Sequence, residues 1–347
     1  MEFPIIKRKF KKISPGSLSK ITMGIGTFLG LLFLLLCFEI YVPANPLSNE
    51  TITYTVIKGW GDDEIAKDLA KSGIIRSDYF FQLYVMASFK HSELKAGKYN
   101  LSPRMSIYQI ASKFADGDVI KNKITIFEGW DINDTAKYFE EKGICTQTEF
   151  LAEVKKDYSK SFDFLKEKPK SVSLEGYLFP DTYEVAEGET CEDVLHIILQ
   201  NFDAKITPEI KAKATEQKKS LFEIITMASI IEKEVKKIAD KKIVSGILWK
   251  RLDAEMPLQL DSTVNYATGK SDPGVAIKDT KINSPYNTYK YKGLPVGPIS
   301  NPGIESILAA LNPTKTAYWF YLSSFTGKTI FSKTFADHVL ARSKYLR

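Results

Sequence analysis

Residues 221 to 237 read LFEIITMASIIEKEVKK, a run in which apolar side chains recur every three or four positions and so predict an α-helix. On a helical wheel of about 100° per residue, Leu221, Ala228 and Val235 fall within about 60° of Glu232. Glu232 therefore belongs to the stripe that the helix buries. Glu223 falls opposite this stripe and Glu234 lies well off it, so both are expected to be ordinary solvated acids.

A carboxylate among apolar side chains loses the solvation of its charged form, which favours the protonated acid. A general acid that cleaves a glycosidic bond needs such an environment. The alternative is structural: Glu232 ends the stripe and reaches solvent, or it pairs with a buried Lys or Arg such as Lys236 one turn further on.

The N-terminus predicts a membrane anchor. Residues 1–20 carry six Lys and Arg residues against Glu2, which is +5 of the net charge of +6 for all 347 residues, and no charged residue occurs from Ile21 to Phe38. We expect a cytoplasmic tail over 1–20 and a transmembrane helix over 21–42, with the remaining chain outside. A cleaved signal peptide is the competing interpretation, since Val42-Pro43-Ala44 loosely fits a cleavage site. The basic charge is confined to the tail, which argues against nucleic acid as a partner.

Cysteine and histidine usage narrows the chemistry further. Cys145 and Cys191 are expected to face an oxidising compartment, but the sequence does not reveal whether they pair. His91, His196 and His338 are scattered and lack the spacing of metal ligands, so we expect neither a metal nor another cofactor.

The exterior part begins with an internal repeat. Residues 55–60, TVIKGW, return seventy positions later as TIFEGW at 125–130, and each is followed by an amphipathic helix and a Gly-Ile pair. This β-α-α-β pattern resembles the LysM modules that bind cell-wall glycan, and a small α+β spacer without a ligand is the alternative. We place this module at 51–157.

The charged segment from Lys155 to Lys170 marks a domain boundary, and a second domain covers 172–347. It combines several helices with a terminal pair of strands, Trp319 to Leu322 and Thr329 to Phe331. The expected fold class is α+β throughout.

Two segments of the second domain carry groups suited to sugar binding. Glycan strands are held by aromatic faces together with directional amide and hydroxyl hydrogen bonds. Loops braced by Pro and Gly often carry such groups, and these segments precede the loop GLPVGPISNPG at 293–303. The candidate substrate-binding residues are Gln259, Asp261, Thr263, Tyr266, Tyr286, Asn287 and Tyr289.

Four motifs together resemble the endolytic murein transglycosylases, the MltG or YceG-like family. They are EGYLFPDTY at 175–183, ASIIEKE at 228–234, YNTY at 286–289 and GLP at 293–295, in the family's order. The resemblance runs from the anchor to the C-terminus and implies that Glu232 is the catalytic residue. This chain departs from the family at Tyr177, where Trp is common, and at Leu260, where Thr or a similar residue is common, which puts single contacts in doubt.

The resemblance implies cleavage between N-acetylmuramic acid and N-acetylglucosamine in nascent strands, with formation of a 1,6-anhydro end. It also implies peptidoglycan strands, the inner (cytoplasmic) membrane and peptidoglycan synthases as partners. Two alternatives stay open at this point. One is a lysozyme-like muramidase that pairs Glu232 with Asp261, and the other is a non-catalytic wall-binding scaffold.

Overall fold

The protein is described by a computed structural model that covers residues 15–90, 93–270, 274–324 and 326–346. Most of the predicted cytoplasmic tail, and His91, lie outside the described residues. The chain forms two compact units. Unit 1 comprises Met1–Lys121 with Ala186–Gly188, and unit 2 comprises Asn122–Val185 with Glu189–Arg347.

Unit 1 contains one long helix and a small α+β layer. Strands β1 and β2 pair antiparallel, with Ile52 opposite Leu101 and Val56 opposite Gly97. Phe81, Tyr99 and Phe114 are fully buried at the centre of its core. The elements in chain order are α1 (Pro15–Tyr41), β1 (Ile52–Val56), α2 (Asp62–Lys71), α3 (Asp78–Ala87), β2 (Gly97–Leu101) and α4 (Ile107–Asp116).

Helix α1 has the length and apolar composition of a membrane span over Thr22–Tyr41. Its side chains are largely exposed, so this apolar surface is not covered by the rest of the described chain. The end of α1 is fixed to unit 1 by Arg76, whose guanidinium pairs with Glu39 at 3.1 Å and donates to the carbonyl of Pro43 at 2.6 Å. The predicted single apolar N-terminal helix is therefore present.

Unit 2 is a mixed α+β unit with the larger core. Its elements are β3 (Lys121–Thr125), α5 (Ile132–Glu141), α6 (Gln147–Glu153), β4 (Thr182–Ala186), α7 (Cys191–Lys205), α8 (Pro208–Glu216), α9 (Leu221–Glu234), α10 (Ile238–Asp253), α11 (Asp261–Thr268), α12 (Ile304–Leu311), β5 (Phe320–Ser323), β6 (Thr329–Ser332) and α13 (Phe335–Tyr345), with 3₁₀ turns at Asp163–Leu165 and Asp279–Lys281. Strand β3 pairs with β4, and β5 pairs with β6 as predicted, with Tyr321 opposite Phe331.

The internal repeat is visible as two β-α-α-β arrangements, β1-α2-α3-β2 and β3-α5-α6-β4. Helices α2 and α5 begin at Asp62 and Ile132, and both have ten residues. The turn before each helix places its glycine, Gly59 or Gly129, in the left-handed backbone region that favours glycine. The predicted rhythm is thus present in both copies, whereas the likeness to LysM modules stays a prediction.

The two copies belong to different units. Ile124, Ile126 and Phe139 of the second copy share one core with Leu174 and Ile230 of the later chain. The compact units therefore divide at Lys121 and Asn122, earlier than the charged segment at 155–170. The lysine-rich segment at 155–170 is an exposed part of unit 2 and not a boundary between the compact units. Within it, Lys155 is exposed and the nearby Tyr158 is buried.

Helix α9 is the central helix of unit 2. Ser220 caps its N-terminus by accepting from the backbone N–H of Glu223, which closes a capping box. Buried residues occur on nearly all of its sides, including Thr226 and Ser229, so the buried surface is wider than the predicted stripe. The helix ends at Glu234 and not at 237, because Val235 adopts an extended conformation and buries its side chain.

Candidate active site

Glu232 lies on the last turn of α9 and is held by three donors. Lys241 of α10 donates to its Oε1 at 3.0 Å, while the backbone N–H of Gly303 at 3.0 Å and the hydroxyl of Ser306 at 2.7 Å donate to its Oε2. Gly303 is the N-cap of α12, so this carboxylate sits at the positive end of a helix. The side chain of Glu232 is 8% exposed and that of Lys241 is 2% exposed.

These contacts differ from the apolar environment expected for Glu232. The charge partner exists, but it is Lys241 of the next helix and not Lys236, which is exposed. A buried ion pair is maintained only when further hydrogen bonds satisfy its members, and Gly303 and Ser306 supply them here. The site is therefore a preorganised polar pocket around one carboxylate.

The prediction that Glu234 is an ordinary solvated acid is wrong. Its Oε1 accepts from the hydroxyl of Ser262 at 2.7 Å, and its Oε2 accepts from the hydroxyl of Tyr321 at 3.0 Å. Burial raises the pKa of Glu234 and these two hydrogen bonds oppose the rise. The helical wheel could not predict these hydrogen bonds to Glu234, because both donors come from other elements, α11 and β5. Glu223, by contrast, is exposed as predicted.

Asp261 and Tyr289, two candidate substrate-binding residues, are bonded to each other. The Tyr289 hydroxyl donates to Oδ1 of Asp261 at 2.5 Å, and the negative charge of Asp261 acts on Glu234. Gln259 precedes this pair with an exposed side chain and a φ of 52°. A residue other than glycine in this region is strained, and such strain is concentrated at functional positions. Gln259 is thus an exposed candidate next to the Asp261 and Tyr289 pair.

Two other candidates, Thr263 and Asn287, are completely buried. The Thr263 hydroxyl donates to the carbonyl of Leu260 at 2.8 Å. The Asn287 amide donates to two backbone carbonyls of the preceding turn and accepts from the N–H of Tyr289 at 3.0 Å. Both side chains brace the loops that carry the exposed candidates, and their polar atoms are used internally.

Tyr266 and Tyr286 pack together with ring centroids 4.8 Å apart. The Tyr266 hydroxyl donates to Oε2 of Glu175 at 3.0 Å, and the N–H of Ile132 donates to the same oxygen at 3.0 Å. Oε1 of Glu175 is buried without a partner among the described residues. Burial raises the pKa of Glu175 to about 8, so the motif at 175–183 contributes a buried acid beside the aromatic pair.

An open groove of about 470 Å³ is lined by residues on both sides of the YNTY motif. Its lining is mixed, with apolar, aromatic and amide side chains. The lining residues are Asn283, Pro285, Tyr291, Leu294 and Val296.

The turn at 127–130 of the second repeat copy packs against the Glu232 pocket. Gly129 donates to the carbonyl of Asn301 at 3.0 Å, and Lys233 donates to the carbonyl of Gly129 at 3.1 Å. The side chain of Asn301 bonds to three further backbone groups, at Trp130, Gly176 and Leu178. Sequence reasoning missed this role of Asn301, for which no signal existed beyond its place in the Pro/Gly loop.

Glu128, on the same turn, is a second carboxylate beside Glu232. A Cβ atom added to Gly303 would lie 1.9 Å from Oε1 of Glu128, so the Glu128 carboxylate rests against the residue whose N–H binds Glu232. Asp261, the partner considered from the sequence, accepts a hydrogen bond from Tyr289, and its negative charge acts on Glu234. The only sequence feature that could have singled out Glu128 is the internal repeat, because the first copy carries Lys58 at the position where the second copy carries Glu128.

Cys145 and Cys191 form a disulfide between the segment after α5 and the start of α7. Within the described ranges, no group of three or more His, Cys, Asp or Glu side chains is arranged to hold a metal ion. The groups that contact Glu232 are an ammonium group, a backbone N–H and a hydroxyl.

Comparison with known proteins identifies the family. The chain matches the YceG-like family over residues 54–344. An endolytic murein transglycosylase of Bacillus subtilis (strain 168) is 34% identical over 317 residues, covering 88% of this chain and 87% of the relative. An endolytic murein transglycosylase of Streptococcus pneumoniae (strain D39) is 30% identical over 86% of this chain, which spans only 59% of that relative. The crystal structure of a yceG-like protein from Listeria monocytogenes is 34% identical and superposes with a TM-score of 0.58, covering 84% of this chain and 99% of that one. The chain belongs to the YceG-like family.

Proposed function

We propose that this protein is an endolytic lytic transglycosylase of peptidoglycan, a lyase that cuts within glycan strands. The names of its relatives point to this activity. The observation that carries the proposal is the Glu232 pocket, in which an acid within the family motif is held at a helix N-terminus by Lys241, Gly303 and Ser306. The bond cleaved is the one between N-acetylmuramic acid and N-acetylglucosamine.

In the proposed reaction Glu232 acts first as an acid and then as a base. It protonates the glycosidic oxygen as the bond to C1 of the muramyl residue breaks. The resulting carboxylate then takes the proton of the muramyl C6 hydroxyl, whose oxygen bonds to C1 and closes the 1,6-anhydro ring. The donors of Lys241, Gly303 and Ser306 stabilise the carboxylate between these steps. No water is consumed, and strand elongation ends at the anhydro residue.

The test is Glu232→Gln, with Glu223→Gln as the matched control on the same helix. Glutamine at 232 keeps the size of the side chain but cannot donate and retrieve a proton, so cleavage of intact strands should fall by about 10³-fold or more. Glutamine at 223 can still complete the capping box with Ser220, so the control should keep its activity. An active Glu232→Gln variant would refute the proposed acid, and reducing ends in place of anhydro ends would favour a muramidase.

We also propose that α1 anchors the protein in the cytoplasmic membrane, with residues 1–20 inside and 43–347 outside. The disulfide between Cys145 and Cys191 supports this orientation, because disulfides persist in oxidising compartments. The anchor would hold the site near nascent strands and the synthases that make them. A reporter active only outside the membrane, fused after Arg347, should be active; activity of a cytoplasmic reporter there would overturn this orientation.

The first repeat copy is proposed to bind glycan as a LysM-like module. The supporting feature is Trp60, which is partly exposed beside the turn glycine and can offer a face to a sugar ring. Trp60→Ala in the full chain should weaken binding to insoluble peptidoglycan. Unchanged binding would favour the spacer interpretation.

A further inference from the structure

Helix α3 of unit 1 is apolar on two sides. Phe81 and Val85 face the core and are completely buried. On a wheel of about 100° per residue, Tyr79, Leu83 and Met86 point about 120° to 180° away from this pair and form the outward face of α3. Tyr79 is 63% and Met86 66% exposed, and Leu83 is partly exposed. The rest of the described chain therefore leaves a largely uncovered apolar helix face, which is typical of a helix that contacts something else.

The second copy of the repeat folds without such a face. Its helix α6 and the residue after it bury Phe150 and Val154, which have the same spacing as the buried pair of α3. Counted from this pair, the three positions that match the outward face of α3 are exposed and small or polar: Thr148, Ala152 and Lys155. The apolar outward face of α3 is therefore not a requirement of the repeat and needs another cause.

The end of α3 exposes one more large apolar side chain. Phe89 is 88% exposed and has a φ of 58°. It follows the C-cap Ser88, and Lys90 donates to the carbonyl of Val85 at 3.1 Å, which is a helix ending that usually carries glycine at this position. The other described non-glycine residues in this backbone region are all polar: Lys218, Glu255 and Gln259. An exposed aromatic ring on a strained backbone indicates a contact outside the chain.

Helix α3 lies beside the end of the apolar helix α1. Arg76, two residues before α3, donates to the carbonyl of Pro43 at 2.6 Å. Further along α3, the ring of Tyr84 lies 6.2 Å from that of Tyr108, which lies 5.7 Å from the ring of Tyr41 at the end of α1. Two separate points of α3 are thus tied to the place where the apolar span ends. Tyrosine is enriched at the boundary between lipid and water, where such a span leaves the membrane.

We propose that the outward face of α3, together with Phe89, rests on the outer surface of the membrane that α1 spans. This inference rests on the proposed anchoring and adds a second membrane contact to it. Lipid is the partner because the face adjoins the end of a helix whose own apolar surface is uncovered. Interfacial helices bury their apolar side chains about 5 to 10 Å into the lipid boundary, a depth open to side chains beside Tyr41. Unit 1 is then held at two places and does not turn freely about α1.

The experiment measures the depth of single labels in vesicles of phosphatidylethanolamine and phosphatidylglycerol. Full-length protein with Cys37→Ser receives one new cysteine for a fluorescent NBD label, and the two disulfide-bonded cysteines do not react. Labels at Met86→Cys or Phe89→Cys should lose about half of their fluorescence or more to a lipid with a shallow nitroxide, because they lie at the lipid boundary. Iodide on both sides of the bilayer should quench them little. The matched control, Lys155→Cys in the second copy, should show the reverse pattern.

A label at Leu31→Cys, exposed on α1, reports on the anchor alone. It should be quenched by a nitroxide deep in the acyl chains, and quenching by iodide would remove the proposed anchoring. If this label lies in lipid while iodide quenches those at 86 and 89, only the present inference fails. Labels at 86 and 89 that neither quencher reaches would mean that protein, such as a second copy of the chain, covers the face, and would also overturn the inference.

Phe89→Gly separates backbone strain from membrane contact. Glycine suits a φ of 58°, so the stability of the protein in detergent should be unchanged or higher. In vesicles the substitution removes one apolar contact, so the label at 86 should lose part of its quenching by the shallow nitroxide. Unchanged quenching at 86 would show that Phe89 makes no membrane contact and would contradict its place in the proposed surface.

Discussion

Replacing Glu175 with Gln should make the stability of unit 2 less dependent on pH. Glu175 is fully buried, accepts hydrogen bonds at one oxygen from Ile132 and Tyr266, and has no partner at the other among the described residues. Glutamine resembles the neutral acid in shape and can accept both hydrogen bonds. The variant therefore mimics the protonated form at every pH.

The size of the effect follows from the pKa of Glu175, which burial raises from 4.5 to about 8. The folded protein binds this proton more tightly than the unfolded chain does. The stabilising contribution is present below about pH 4.5 and is lost as the pH rises to about 8. Since one pKa unit corresponds to about 1.4 kcal/mol, the wild type should lose about 3 to 4 kcal/mol relative to Glu175→Gln between pH 5 and pH 8.

The assay is urea denaturation of detergent-solubilised full-length protein followed by tryptophan fluorescence, since Trp130, Trp249 and Trp319 all belong to unit 2. Glu216→Gln, which removes an exposed carboxylate, is the control and should track the wild type at each pH. A constant difference between Glu175→Gln and wild type across this pH range would refute the reasoning, because it would mean that Glu175 is ionised in the folded protein throughout.

Three further changes test the packing around the site. Lys241→Met leaves Glu232 buried without its cation and should lower the free energy of unfolding, measured by urea denaturation, by about 3 kcal/mol. The double variant with Glu232→Gln should recover most of this loss. Equal losses in the single and double variants would contradict the pairing. Replacing both Cys145 and Cys191 with serine removes a disulfide between residues 46 positions apart and should lower the free energy of unfolding by up to about 4 kcal/mol. No loss is expected if the bond is unformed in the wild type. Gly246→Ala puts a Cβ atom 2.0 Å from a backbone carbonyl oxygen, so the free energy of unfolding measured by thermal denaturation should fall by about 2 kcal/mol or more. Unchanged stability would contradict this close approach.

How far the sequence predicts this site depends on where each partner lies in the chain. Glu232 is identifiable because it interrupts an apolar helical pattern, and Glu223 is correctly solvated because its surroundings are set by its own helix. Glu234 fails the same analysis, since its partners Ser262 and Tyr321 lie 28 and 87 positions away. Helical periodicity contains no information about what packs across from a helix.

Fold prediction has the same limit. The strands and helices of the repeat follow from local patterns, and α2 and α5 begin seventy positions apart as the sequence indicates. Their assignment to separate units depends instead on core contacts of the second copy, such as those of Ile126 and Phe139, with residues far along the chain. Lys241 was not predicted for the same reason, because one lysine among several neighbouring lysines has no local mark of burial.

The turn that carries Glu128 belongs to a duplicated segment, and its counterpart in the first copy carries Lys58. If the turn of the first copy were written over the second by gene conversion, the turn glycine and the tryptophan after it would both be kept. The carboxylate that rests against Gly303 would, however, become an ammonium group. Such an exchange would reverse the charge beside the residue whose N–H binds Glu232, so the duplicated turn keeps its glycine while the side chain at this one position sets the charge next to the pocket.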